Sequence, residues 1–457
     1  MRVISLLALF TLTACMPAPQ AGVSKSYPSD TAAGAVLPAM QGFALTAGKA
    51  PQRSNAEIAA DFLDLEFRME SGRVLPVLSR FEGPITIALS GNVPPTARAD
   101  LARLISRFRN EAGLDVSAAA PGARGSISVI FEPRAELARL VPSAACFVVP
   151  RVSSLAEYKA RRNAPDVDWT TMTRRDHVAI FVPSDTSPQE VRDCLHEEVA
   201  QAMGPLNDLY SLPDSVFNDD NFHTVLTGFD MLMLRLHYAP ELRSGMSEAE
   251  VARYLPALLA RLNPAGQQFG GAPAQLSPRN WNDAVAAAFG ARGTPAARVD
   301  AANRMLSIAM AQGWRDTRLG FAFFAVGRLN VTRDTEAAIA AFAQAGRIYN
   351  SLPGAAIQAA HVDMQLAAIA LSSGQPEQAI GFADRAMPAV RQAENAALLA
   401  TLMLIKSEAL DSLGRPAEAR ALRLDSLGWA RYGFGAESQV RARTAEIANL
   451  AARGNRG

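Results

Sequence analysis

The chain has 457 residues, 49% of them hydrophobic and 19% charged, and a formal net charge of +1. That length accommodates two or three domains with sizeable cores. A charge balance this close to neutral excludes the basic footprint of a nucleic-acid binder and gives no electrostatic drive toward an anionic membrane surface.

The chain opens MRVISLLALFTLTAC. One Arg followed by an apolar run of roughly a dozen residues is the layout of a secretory signal, and the run is too short to span a bilayer. Its end, Leu12-Thr13-Ala14-Cys15, resembles the lipobox of bacterial lipoproteins. The resemblance implies a signal peptide over 1–14, a lipid on Cys15 and attachment at the periplasmic side of the envelope. Met16 stands where an Asp would favour inner-membrane retention, so the outer membrane is the expected site. An ordinary cleaved signal is the alternative. Residues 15–50 then read as the lipidated Cys and a flexible tether, rich in Ala, Pro, Gly and Ser, with a reach of about 30 Å. With Cys15 lipidated, Cys146 and Cys194 remain, 48 residues apart. An oxidising compartment favours their pairing, and closing such a loop stabilises by about 4 kcal/mol on the chain-entropy argument. Two buried free thiols are the alternative.

Order is expected to begin at the capping box Ser54-Asn55-Ala56-Glu57, ahead of an amphipathic run from Ile58 to Phe67. Ile85–Leu89 reads as a strand and Thr96–Ala112 as a helix with Leu101, Leu104, Ile105 and Phe108 on one face. Ile127–Phe131, Cys146–Val149 and Val178–Val182 are further strands. Ser187-Pro188-Gln189-Glu190 combines an N-cap Ser, Pro at the first helical position and Glu at the third. The helix it starts should carry His196 and Glu198 and stop at Gly204-Pro205. A turn-rich loop fills 207–223, and Leu226–Tyr238 reads as another helix. Residues 51–262 therefore suit a small mixed sheet packed by helices.

Residues 263–278 hold three Gly and three Pro and read as a linker. From 279 to 453 the chain is Ala- and Leu-rich with helical period. The segments Thr335-Glu336-Ala337-Ala338-Ile339, Pro376-Glu377-Gln378-Ala379-Ile380 and Pro416-Ala417-Glu418-Ala419-Arg420 recur at offsets of 376 − 335 = 41 and 416 − 376 = 40, with Gly374 and Gly414 before the second and third. This resembles tetratricopeptide repeats with longer helices, and implies stacked helix pairs with a concave surface for envelope protein partners. A plain helical bundle is the alternative.

The stretch CLHEEVAQAMGPLND at 194–208 carries the chemistry question. His196-Glu197 begins the zincin pattern H-E-x-x-H, which grips zinc with two His one helical turn apart, but position 200 is Ala. Laid on Gly204, the metzincin pattern H-E-x-x-H-x-x-G-x-x-H puts Glu197, Gln201 and Asn207 at the three His and Glu198 at the catalytic Glu. Ser215-Val216-Phe217 and the run Leu226–Tyr238 then resemble the Met-turn and following helix of matrixins, with Phe217 in place of Met. The blocks RFEGPI at 80–85, SVFNDDN at 215–221 and LTGFDMLMLR at 226–235 also resemble an uncharacterised family of proteobacterial lipoproteins, which implies the domain and no substrate.

The expected fold is thus an α+β metzincin-like domain followed by an all-α tetratricopeptide-like solenoid. One anionic ligand and two amides make a poor zinc site, so no cofactor is expected, although a divalent metal on oxygen ligands is possible. Glu197, Gln201, Asn207 and Asp208 read either as a hydrogen-bonded polar cluster or as the floor of a binding cleft. The expected role is a non-catalytic binding or scaffolding module. The alternative is an unorthodox metallopeptidase-like hydrolase using Glu198, with His196 and His223 as fallback metal ligands. A glycosidase using Glu198 and a second acid is a third reading. His177, His237 and His361 read as packing or surface residues, and Asp214–Asp220 as Asx turns with a calcium-like composition.

Overall fold

The computed structural model describes residues 37–454 except 45, 46, 121, 143, 291 and 292. The signal, Cys15 and the start of the tether lie outside the described residues. The first helix, α1 (Asn55–Glu66), starts with the expected capping box: Ser54 accepts from the Glu57 amide and Glu57 reaches back to the Ser54 amide.

A five-stranded sheet follows, in the order β2-β1-β3-β5-β4, built from β1 (Ile85–Gly91), β2 (Val116–Ala118), β3 (Ile127–Glu132), β4 (Phe147–Pro150) and β5 (Val178–Pro183). All neighbours are parallel except β4, which runs antiparallel along β5. Alternation of side chains across the pleat divides β3 and β5 between two cores. Ile127, Val129, Phe131, Val178, Ile180 and Val182 join the main core. Ile130, Ala179 and Phe181 face the other way, into a small core with Leu137 of α3 (Arg134–Leu140) and Leu155 of α4 (Leu155–Arg161). A strand covered on both faces reads as an unbroken apolar run, and β5 is buried throughout.

On the main-core face lie α2 (Ala97–Glu111) and α5 (Pro188–Met203), while α6 (Gly228–His237) and α7 (Glu248–Leu262) pack with α1 below them. The sequence reading placed α1, α2, α5, α6 and four of the strands within two or three residues; it missed the three-residue edge strand β2 and did not name α3, α4 or α7.

Beyond residue 263 the described chain is helical: α8 (Arg279–Phe289), α9 (Pro295–Ala311), α10 (Thr317–Asn330), α11 (Thr335–Ser351), α12 (Ala356–Ser372), α13 (Pro376–Gln392), α14 (Ala396–Ser412), α15 (Pro416–Phe434) and α16 (Glu437–Gly454). The three recurring segments begin α11, α13 and α15. Gly374 and Gly414, at φ +69° and +70°, make the left-handed turn that ends the helix before α13 and α15. Small buried residues, such as Ala338, Ala341 and Ala345 on α11 and Ala379, Ala383 and Ala386 on α13, let neighbouring helices approach closely.

The two parts are joined along a seam. The aromatic rings of Tyr210 and Phe222, from the loop after α5, belong to the core of the helical array. Phe222 packs edge-on against Phe321, Phe324 and Tyr349 and lies 4.7 Å from the His361 ring. Thr317 donates to the Tyr210 carbonyl and Gln358 to that of Pro213. Residues 37–50, which composition places in the tether, make contacts as well. The Gln41 amide bonds the Gly428 carbonyl, Phe43 stacks on Trp429 at 4.5 Å, and Lys49 reaches Gln392.

Candidate functional site

Helix α5 carries the motif, and its first half is fixed by partners. Ser187 caps it, accepting from the Glu190 amide. Gln189 bonds Asn395 and the amide of Ala397, and Arg192 donates to the Glu394 carbonyl, so this half docks on the array. Arg192 also holds Asp193 at 2.6 Å and lies over the Tyr432 ring. Burial raises Asp193 to about 6 while Arg192 opposes the shift. Cys194 is joined to Cys146 by a disulfide, with Cα atoms 6.0 Å apart, which staples α5 to edge strand β4 as the compartment argument expected.

The C-terminal end of α5 is held just as firmly. Its last carbonyls would otherwise be orphaned. Arg175, buried beside Trp169, donates to the carbonyls of Gln201 and Gly204, and the Tyr238 hydroxyl donates to that of Met203. At Gly204 the chain passes close to a buried Glu66–His237 pair: a Cβ there would sit 3.3 Å from the Glu66 carboxylate and 3.5 Å from the His237 ring. The Gly of the motif thus serves close approach.

The motif side chains go to different places. His196 is 4% exposed, and its Nδ1 accepts from the Leu226 amide. Burial, aided by Arg192, Arg107 and Arg103, keeps its pKa well below the usual value, so the ring is neutral. Asn207 donates its amide to the Asp64 carbonyl and ties the loop to α1. Gln201 is buried. Glu197 and Asp208 are half-buried, Glu198 is 5% exposed, and Glu70 and Asp219 stand exposed beside them.

These five carboxyls form one group. Burial and then the charges of Asp219 and Glu70 push Glu197 up to about 8. Burial and then Glu197 and Glu70 raise Glu198 well above its ordinary value. Burial and Glu70 do the same to Asp208, which shares a hydrogen bond with Glu70. Asp219 accepts from the Tyr210 hydroxyl at 2.6 Å. Glu198 Oε2 and Asp208 Oδ1 have no hydrogen-bond partner.

The turn 215–217 is tied to α6. Ser215 Oγ and the Val216 amide both donate to Asp230, the third helical residue of α6 and partner of its N-cap Thr227 in a capping box, and Phe217 is fully buried. Asn218 and Asp220 form Asx turns, each accepting from the amide two residues on. His223 is separately engaged with the Pro213 carbonyl and lowered by burial to about 4; His361 is lowered to about 3. His177 bonds the Gly125 carbonyl. Among the described residues no three or more His, Cys, Asp or Glu are arranged to hold a metal ion.

Residues 55–257 match the family model described as a protein of unknown function, DUF2927. The match starts at the first residue of α1 and ends within α7, so it takes in the sheet, the motif helix and the loop but not the helical array. No curated protein matches the chain.

The sequence reading named Glu197, Gln201, Asn207 and Asp208 as one polar cluster and Glu198 as the catalytic candidate. In the structure Glu197, Glu198 and Asp208 are grouped, whereas the Asn207 amide turns to α1. Glu70 and Arg175 were not singled out. Both lie far from the motif in sequence, in segments with no local pattern, and only tertiary packing brings them to it.

Proposed function

We propose that this chain is an envelope lipoprotein whose N-terminal domain is a metzincin-like shell used for binding rather than for peptide hydrolysis, joined to a tetratricopeptide-like array. Several features support the reading. A mostly parallel sheet with one antiparallel edge strand precedes the motif helix, and a turn with the buried Phe217 follows it. The side chains at the three ligand positions are Glu197, Gln201 and Asn207. The observation that carries the reading is that these three positions hold one carboxylate and two amides where zinc requires imidazoles; Asn207 also ties the loop to α1 through its side-chain N–H. Glu198, at the catalytic position, is pushed well above its ordinary value by burial and then by Glu197 and Glu70, which disfavours the ionised form that a general base needs. Anchoring through Cys15 at the periplasmic face of the outer membrane rests on the lipobox resemblance, and envelope protein partners on the repeat resemblance.

The test is a peptide-library digest by the full chain in detergent, wild type beside Glu198→Gln. The expected outcome is no cleavage that depends on Glu198. Cleavage lost in the variant while its circular dichroism is unchanged would favour the metallopeptidase-like hydrolase instead.

A further inference from the structure

We propose that the acidic group at the end of α5 is a receptor for one extended organic cation, an arginine or lysine side chain of a partner polypeptide. The cation would enter between Glu70 and Asp219 and place its donors against Glu197, Asp208 and Glu198. This deepens the binding reading above and rests on it.

The first argument is the pairing of acids elsewhere. Asp61 and Asp214 share Arg53, Asp193 has Arg192, and Asp230 accepts from Ser215 and from the amides of Val216 and Thr227. Burying a carboxylate is costly unless such partners are present. At the end of α5 the charged neighbours are acids on every side: Glu70 after α1, Asp193, Glu197 and Glu198 on α5, Asp208 and Asp219 in the loop, and Asp230 on α6. Among the described residues, the charges that act on Glu197, Glu198 and Asp208 are those of acids.

The second argument is unmet hydrogen-bonding capacity. Glu198 is 5% exposed, its charged neighbours are Glu197 and Glu70, and its Oε2 has no partner; Asp208 Oδ1 has none either. Glu66, Asp100 and Asp220 also carry a buried oxygen without a partner, but each is engaged elsewhere, by His237, Tyr432 and the Phe222 amide, whereas Glu198 and Asp208 lie together among acids and call for an incoming donor. A guanidinium or ammonium group supplies several and no acceptor.

The third argument is shape. Glu70 and Asp219 are exposed, Glu197 and Asp208 half-buried, and Glu198 buried. The carboxyls are graded in depth and do not converge in the way a metal ion requires. A graded series suits a long side chain with its charge at the tip. Since the bound cation favours the ionised carboxyls, binding must release protons and strengthen as pH rises toward 8.

The experiment is isothermal titration of the full chain in detergent at pH 7.5, in two buffers of different ionisation heat. The probes are blocked Ala-Arg-Ala, the same tripeptide with norleucine, and calcium chloride. We expect saturable binding of the Arg peptide with proton release, and none of the norleucine peptide. Glu197→Gln and Asp208→Asn should each weaken it by roughly tenfold or more. Glu70→Gln, a change at an exposed position, should weaken it as well while leaving the fold intact. The proposal is overturned if the Arg peptide does not bind, if it binds equally to all three variants, or if calcium alone binds and these variants abolish it. Any of these results leaves the non-catalytic reading standing. Glu198-dependent cleavage would remove that reading whatever the titration gave.

Discussion

On the first two turns of α5, Gln189 and Arg192 are matched to named groups across the seam and Arg192 pairs with Asp193; one turn further on, the charged groups that act on Glu197 and Glu198 are other acids. Desolvation acts on both halves. Asp193 beside Arg192 rises to about 6, whereas Glu197, acted on by acids, rises to about 8. What separates the halves is therefore the partner and not the burial. The first half is built to join two parts of the molecule. The second lowers the stability of the fold, which is the pattern expected of a group kept for a ligand.

The comparison can be tested by substitution. The largest effect should come from the staple at its middle: replacing Cys146 and Cys194 together with Ser should cost about 4 kcal/mol in urea unfolding. A loss near zero would mean that α5 is positioned without it. Next, Phe222→Ala removes the ring that enters the array core, and about 3 kcal/mol should be lost. A variant whose unfolding midpoint does not move would show that the seam contributes nothing.

Arg192→Ala should cost about 3 kcal/mol at pH 8, because Asp193 is left buried without its cation. The loss should shrink at pH 5, where that carboxyl can take up a proton. Equal losses at both pH values would deny the pairing its role. The smallest effect has the opposite sign. Glu197 is raised to about 8 in the folded chain from an ordinary value of 4.5, so the folded state holds the extra proton between those values and its stability falls as pH rises through them. Glu197→Gln should therefore raise stability at pH 8, by about 1 kcal/mol or more, and change little at pH 4. Destabilisation at pH 8 would erase the contrast between the two halves.

Much of this was legible in the chain itself. Local signals placed the capping box at Ser54, the N-cap at Ser187, four of the five strands and the starts of α11, α13 and α15, because caps, alternation and repeat spacing act within a few residues. The Cys146–Cys194 pair followed from counting cysteines. The unreadable part was long-range. Composition placed residues 37–50 in a tether, yet Phe43 rests on Trp429. The loop 207–223 looked like polar turns, yet Tyr210 and Phe222 are core residues of the array, because two aromatics amid Asn and Asp carry no period. Glu70 reaches Asp208 across more than a hundred residues, and Arg175 caps α5 from before β5. Spacing indicated which residues would share a helix, not which would have a cation beside them.

The central claim is that the end of α5 keeps the outline of a zinc site without its chemistry. Elemental analysis tests it most directly. The full chain, purified in detergent without chelator, is incubated with zinc sulfate and dialysed, beside Glu197→Ala. The account predicts zinc far below stoichiometric in both. About one zinc per chain in the wild type, lost in Glu197→Ala, would contradict it.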